Sequence, residues 1–208
     1  MKSIWIDPSN GTRIYKVNIK SISRSEYEAA YFLMSRQRQE KCREYSRDKD
    51  KMLCIAADML ARKVIAEETK TPENELSFYK AQGGKLYLDS GDCYFNFSHS
   101  EDTVALALNR HREVGIDVEK IRKISLNLIK RVCNKDEIEF ISNGNGLNSD
   151  FAEGEAAERF FRIWTYKEAV LKCSGEGIIS ELYNISYDKD RCFCEITDGY
   201  CFTCVTAE

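Results

Sequence analysis

Proline is scarce, with two residues in 208, and histidine is equally rare. So few prolines exclude a collagen-like or proline-rich extended chain. No apolar run approaches the ~20 residues that cross a bilayer, so no membrane association is expected. Neither sign of charge dominates: 31 Lys and Arg face 34 Asp and Glu, for a net charge of −3. That balance speaks against a polybasic nucleic-acid binder, and no nucleic-acid partner is expected. The opening stretch MKSIWIDPSNG has neither the long apolar centre nor the small-residue cleavage site of a secretion signal. A cytoplasmic protein is the expectation. What is present is ordinary for a globular chain: 43% hydrophobic and 31% charged residues. At ~100–200 residues per domain, the length allows one large or two small domains.

Cysteine is plentiful, with nine residues. An odd count without a secretion signal argues against a disulfide framework. Cys42, Cys54, Cys93, Cys133 and Cys173 are isolated, whereas Cys192, Cys194, Cys201 and Cys204 cluster. The cluster admits a zinc reading. On a strand, however, Cys201 and Cys204 face opposite sides, and no His lies nearby. Reduced, partly buried thiols are the expectation.

The pattern predicts an α+β protein. Short strands are expected at Ile4–Ile6 and Tyr15–Ile19. A helix capped by Ser25, with Glu28 three residues on, is expected to run to about Tyr45. A second helix spans about Lys51–Glu68, its apolar residues recurring at three and four. Strands follow at Leu76–Tyr79, Lys85–Leu88, residues 94–100, 103–108 and 114–119. Two short helices occupy 125–142, and NGNGLNSD (143–150) is a loop. A long helix, Ala156–Cys173, stops at Gly175 and Gly177, and strands at about 182–187, 191–196 and 200–205 end the chain. The polar break at Asn109–Arg112 suggests two parts, 1–110 and 111–208.

Four local patterns carry chemistry. In VGIDVEK (114–120), alternation turns Val114, Ile116 and Val118 to one face and Gly115, Asp117 and Glu119 to the other. The two carboxylates lie about 7 Å apart along the strand. They suit Mg²⁺ beside a glycine that leaves room for a ligand, or else form a solvated edge. In FRIWTYKEAVLK (161–172), Phe161, Thr165, Glu168 and Lys172 share a helix side, with Glu168 and Lys172 spaced for an i,i+4 ion pair. In NFSHS (96–100), His99 is expected in a turn, presented for a phosphate or idle. The basic run RQRQEKCREYSRDKDK suits a solvated face, or a few bases serving one phosphate.

The order NFSHS, then GIDVE, then W-x-x-KEA-x-x-K resembles the 4′-phosphopantetheinyl transferases of the surfactin-synthetase-activating (Sfp) type. The resemblance takes in EKCREY and GGKLYL and spans roughly residues 36–175. It implies two similar α+β halves about a pseudo-twofold axis, with the ligand in the cleft between them. It implies transfer of the phosphopantetheine arm of coenzyme A to a serine of an apo acyl or peptidyl carrier protein, releasing adenosine 3′,5′-bisphosphate. One chain builds such a cleft alone, so a monomer is expected. The family's metal ligands fall on Asp117, Glu119 and Glu168, implying Mg²⁺ or Mn²⁺. Its pyrophosphate-contacting lysine falls on Lys172, and its coenzyme A phosphate contacts fall on Ser98 and His99. The Gly-Lys step beside the adenine nucleotide falls on Gly84 and Lys85. Bases near the 3′-phosphate fall on Arg38 and Lys41. Asp117, Glu168 and Lys172 would carry the chemistry, with Glu168 or a metal-bound water taking the serine proton.

The chain departs from the family at one place. Where relatives show Arg followed by Thr or Ser, this sequence has Leu53 and Cys54, which bind no phosphate. Lys49 or Lys51 is then expected to substitute. Two other functions fit the same residues: another Mg²⁺-dependent phosphotransferase or nucleotide hydrolase, and a catalytically impaired module that binds carrier proteins.

Overall fold

The computed structural model describes residues 5–7, 9–147, 150–176 and 182–208. Ile4, Gly177, and Asn148 and Ser149 of the expected loop lie outside these residues. The chain begins with β1 (Trp5–Ile6) and β2 (Arg13–Asn18), followed by α1 (Arg24–Leu33), α2 (Arg36–Glu44) and α3 (Asp48–Thr69). Next come β3 (Phe78–Lys80), β4 (Leu86–Leu88), β5 (Tyr94–Ser100), β6 (Thr103–Asn109) and β7 (Val114–Lys120). Then follow β8 (Ile124–Ser125), α4 (Leu126–Val132), α5 (Lys135–Ser142) and β9 (Phe151–Ala152). The chain closes with α6 (Glu155–Ser174), β10 (Phe193–Thr197) and β11 (Tyr200–Thr206). The fold is α+β, as the pattern predicts.

Two antiparallel sheets form the frame, one ordered β1-β2-β6-β5 and the other β10-β11-β7. The sequence TVALALN explains how they meet. Alternate residues of β6 face opposite ways. Val104, Leu106 and Leu108 pack with Leu53, Ala56, Leu60 and Val64 of α3. Ala105 and Ala107 face the second sheet, packing with Val114, Ile116 and Val118 of β7 and Phe202 of β11. Large residues thus fill the helix side and small ones let the sheets approach. A truncation such as Leu106→Ala at this fully buried position costs about 2–5 kcal/mol. A third apolar cluster joins α6 to α4, α5 and β11 through Ile129, Ile141, Phe160, Phe161 and Cys201.

The structure corrects several local expectations. Ser23, not Ser25, caps α1, and its capping box closes with Glu26. The expected single helix to Tyr45 is two helices. Ser35 breaks it by accepting a hydrogen bond from Arg38 N as the cap of α2. The expected strand at 182–187 is a short 3₁₀ turn at Leu182–Asn184, whose residues are outside every sheet. Gly175 does end α6, in a left-handed conformation with φ 71°. Among the described residues no helix is long and apolar enough to cross a membrane.

Candidate active site

The acids of β7 are held from across the sheet seam by the even-numbered residues of β5. Asn96 Oδ1 accepts from Ile116 N at 3.1 Å, and Ser98 Oγ donates to Asp117 Oδ1 at 2.8 Å. Ser100 Oγ donates to Glu119 Oε2 at 2.8 Å and accepts from Lys120 N at 3.1 Å. Asp117 is buried, yet its Oδ2 has no hydrogen-bond partner. A buried carboxylate oxygen left bare is costly unless something else serves it.

Helix α6 brings the other charged groups. Lys167 anchors its rotation: the fully buried ammonium donates to Val132 O at 2.8 Å and Glu137 Oε2 at 2.7 Å. On the neighbouring face, Lys172 Nζ donates to Asp117 Oδ1 at 2.6 Å and Ser98 Oγ at 2.8 Å. The expected Glu168–Lys172 ion pair is therefore replaced by one with Asp117. A sheltered, hydrogen-bonded carboxylate outcompetes the weak i,i+4 helix pairing. Burial, and then the Asp117 charge, push the Glu168 carboxyl above the usual carboxylate range. Burial pushes Glu119 upward too, against the opposing Ser100 hydrogen bond.

Gly115 serves packing rather than a ligand. A Cβ there would lie 2.0 Å from Ala169 O and 2.4 Å from Cys173 N. The missing side chain lets β7 touch the α6 backbone, which sets Glu168 and Lys172 beside the acids.

These residues open onto two adjoining cavities. The larger, about 860 Å³, is lined by Arg38, Lys41, Gly84, Lys85, His99, Glu168 and Lys172, among others. The smaller, about 360 Å³, is lined by Ser98, Asp117, Glu119 and Trp164 and shares Phe97, His99, Glu168 and Lys172 with the first. The volume of the larger suits a drug-sized or cofactor-sized ligand, for which ~300–1,000 Å³ is usual. Every residue on which the family's site falls lines one of the two, whereas the expected substitutes Lys49 and Lys51 line neither.

Not all of them present their charge to the cavity. The Lys85 ammonium donates to Glu113 Oε2 at 2.5 Å, Val114 O at 2.9 Å and Cys173 O at 2.8 Å. It ties the β3–β4 hairpin to the start of β7 and the end of α6, so only the rest of the side chain is left for the cavity. His99 lies in β5 rather than in a turn, because the strand runs on to Ser100. The residue is exposed at the surface. Partial burial, and then the Lys172 charge, hold the imidazole below its ordinary value.

At the far wall, Arg38 sits 3.6 Å from Asp58, and its buried Nε has no hydrogen-bond partner. Leu53 and Cys54 are buried, and the expected substitutes are engaged elsewhere. Lys49 pairs with Glu101 at 2.7 Å and Asp102 at 3.2 Å, and Lys51 pairs with Asp48 at 3.4 Å. Sequence reasoning missed Asp58 and Arg62, which pair at 2.8 Å in the cavity wall. Their signal was an i,i+4 pair inside an otherwise apolar helix stretch, DMLAR. It also missed Asn96 and Ser100, whose alternation with Ser98 matches that of the β7 acids.

Two family models divide the chain between them. "4'-phosphopantetheinyl transferase, N-terminal" matches residues 21–111, and "4'-phosphopantetheinyl transferase superfamily" matches 113–196. The chain is 30% identical over 176 residues to 4′-phosphopantetheinyl transferase Sfp of Bacillus subtilis, covering 84% of this chain and 75% of that protein. The chain belongs to the Sfp-type 4′-phosphopantetheinyl transferases. Among other phosphopantetheinyl transferases, it is 27% identical to gsp of Aneurinibacillus migulanus, covering 76% of this chain and 63% of that protein. It is 26% identical to the L-aminoadipate-semialdehyde dehydrogenase-phosphopantetheinyl transferase of Mus musculus, covering 88% and 62%. The chain thus spans a little under two thirds of the length of these last two.

Proposed function

We propose that this chain transfers the 4′-phosphopantetheine arm of coenzyme A to a serine hydroxyl of an apo acyl or peptidyl carrier protein, releasing adenosine 3′,5′-bisphosphate. One observation carries the reading. Among the described residues, two buried side-chain polar atoms lack a hydrogen-bond partner, Arg38 Nε and Asp117 Oδ2. One is a cationic donor in the wall of the large cavity, and the other is an anionic acceptor in the adjoining small one. A pyrophosphate with its cation supplies what Asp117 Oδ2 lacks, whereas Arg38 Nε is turned to Asp58 Oδ1 at 3.6 Å.

The donor set suits Mg²⁺ or Mn²⁺, because carboxylate oxygens are hard ligands. Among the described residues no three acids, His or Cys are placed together so as to hold a metal ion, Asp117, Glu119 and Glu168 included. The bare Asp117 Oδ2 nonetheless fits a cation, with Glu119 and Glu168 lining the same small cavity. When bound, the cation offsets pyrophosphate charge as a Lewis acid.

Phosphoryl transfer depends on positioning and charge neutralisation more than on covalent help from the protein. In this reading Arg38 and Lys41 hold the 3′-phosphate, and Gly84 with the stem of Lys85 flanks the adenine nucleotide. His99 binds phosphate oxygens, Ser98 orients Asp117 and Lys172 beside them, and Lys172 offsets charge on the leaving bisphosphate. Glu168, which lines both cavities, takes the serine proton. Residues 1–110 supply the nucleotide side and 111–208 the acids, as two related halves about a pseudo-twofold axis. The active unit is a monomeric cytoplasmic enzyme.

The experiment is intact-mass analysis of apo carrier proteins incubated with this protein, coenzyme A and Mg²⁺. A gain of one phosphopantetheine mass that excess chelator abolishes is the expected result. A gain undiminished in chelator contradicts the metal assignment, and no gain on any acyl or peptidyl carrier protein contradicts the transfer.

A further inference from the structure

The C-terminal cysteine cluster takes no part in the site described above, but two of its members meet in a specific way. Cys194 lies on β10 and Cys201 on β11. The register pairs Cys194 with Thr203 and Ile196 with Cys201, so the two cysteines are diagonal neighbours. Their sulfurs are 3.8 Å apart. Cys201 is fully buried, whereas Cys194 is part-exposed on the edge strand of its sheet.

Donors surround Cys194. Arg162 of α6 brings a guanidinium nitrogen to 3.2 Å from its sulfur, and Thr203 Oγ1 lies at 3.3 Å. The Cys201 thiol supplies a third donor, and this is the environment of a thiolate. The shared hydrogen bond from Cys201 holds the Cys194 thiol below its ordinary value, with Thr203 and Arg162 adding to the effect against burial. Burial pushes the other seven cysteines upward, so among the cysteines only Cys194 is held below its ordinary value.

We propose that Cys194 and Cys201 form a hydroperoxide-oxidisable thiol pair, Cys194 attacking and Cys201 resolving. The Cys194 sulfur attacks the distal oxygen of the peroxide. The O–O bond breaks, the alcohol or water leaves with the thiol's proton, and Cys194 becomes a sulfenic acid. The Cys201 sulfur then attacks that sulfur. The S–O bond breaks, water leaves, and a disulfide forms. In sum, two thiols and one hydroperoxide give one disulfide, one water and one alcohol (or a second water), a two-electron oxidation.

Closing the bond moves backbone. Diagonal partners in an antiparallel pair have Cα atoms about 7–8 Å apart, beyond the usual ~4.4–6.8 Å of a disulfide. Among the described residues β10 is the end strand of its sheet, hydrogen-bonded to β11 alone, so it is the strand that has to move. A bond made this way is strained and readily reduced, which makes the modification reversible. It also disturbs Thr203, whose hydroxyl lies 2.6 Å from Thr165 Oγ1 of α6, one turn before Glu168.

Peptide mapping of the reduced, full-length protein after equimolar hydrogen peroxide tests the proposal. Cleavage after Phe193, Glu195 and Phe202 separates Cys192, Cys194, Cys201 and Cys204 into different peptides. The expected result is a Cys194–Cys201 linkage that a thiol reductant reverses, with the other seven cysteines still alkylatable. Cys201→Ser leaves a trappable sulfenic acid at Cys194, and Arg162→Gln slows oxidation at pH 7 roughly tenfold by raising the thiol. Earlier oxidation of another cysteine, a Cys194–Cys192 linkage, or a Cys194 that stays alkylatable overturns the proposal. The map of the unsubstituted protein decides this even if a variant fails to fold.

Discussion

Lys172 and Asp117, 55 residues apart in sequence, meet at 2.6 Å between Nζ and Oδ1, and Ser98 bonds both. The lysine therefore occupies one oxygen of the acid proposed to hold the metal and leaves the other bare. Two effects follow for Lys172→Ala. Loss of a sheltered charge-assisted contact to the pyrophosphate lowers kcat/KM by about 1.5–3 kcal/mol, or roughly tenfold to a hundredfold. Loss of the competing cation tightens apparent Mg²⁺ binding. Steady-state kinetics across a Mg²⁺ titration measures both, and unchanged values of the two would remove Lys172 from the site.

Lys85 is expected to act on stability. Lys85→Met strips three acceptors, Glu113, Val114 O and Cys173 O, of their shared donor. Breaking a buried charged contact of this kind costs about 3–5 kcal/mol. Gly83→Ala is expected to destabilise by the same route, since its Cβ would fall 1.6 Å from Gly175 O and force the hairpin off α6. Urea unfolding of both variants checks this. Midpoints equal to that of the unsubstituted protein would show that the hairpin is not clamped.

At the nucleotide end, Arg38→Ala combined with Lys41→Ala is expected to raise KM for coenzyme A. It should also shrink the preference over dephospho-coenzyme A, which lacks the 3′-phosphate. Each sheltered contact is worth about 1.5–3 kcal/mol, and exposed Lys41 contributes less than half-buried Arg38. Equal KM values for the two substrates with the unsubstituted protein would mean that these bases do not read the 3′-phosphate.

How far the site was legible depended on periodicity. The two-residue alternation of VGIDVEK separated core from acids, and the helix spacing of Phe161, Thr165, Glu168 and Lys172 placed the last two on one side. What the sequence did not disclose was partner choice across the fold. Lys172 takes Asp117 instead of Glu168, and Lys85 takes two carbonyls and Glu113 instead of facing the cavity. Gly115 yields its space to the α6 backbone. Each outcome depends on tertiary contacts between residues far apart in sequence, which no local pattern encodes. The Ser23 cap was missed for a smaller reason: Ser21, Ser23 and Ser25 compete for the start of α1, whereas Ser35 is a lone serine in a polar run that also reads as helix surface.

His99 provides a pH test. An imidazole held below its ordinary value favours the neutral ring in the folded protein. Its stabilising contribution is therefore complete above the ordinary value and is lost as pH falls through the lowered one. Lys172→Ala removes one of the two causes, so the His99 midpoint should rise toward the ordinary value. NMR titration in a His111→Gln background, which leaves a single imidazole, reads it directly. A midpoint unmoved by the substitution would place Lys172 too far from the ring to act on it.

The most direct measurement of the transfer follows two phosphates of one substrate. Coenzyme A labelled separately in the 4′-phosphate and the 3′-phosphate is incubated with the protein, Mg²⁺ and an apo carrier protein. The account predicts that the 4′-phosphate label becomes bound to the carrier protein, while the 3′-phosphate label leaves in adenosine 3′,5′-bisphosphate in equal amount. If coenzyme A is cleaved but both labels remain in small molecules, the cavity belongs to a nucleotide hydrolase and the transfer is contradicted.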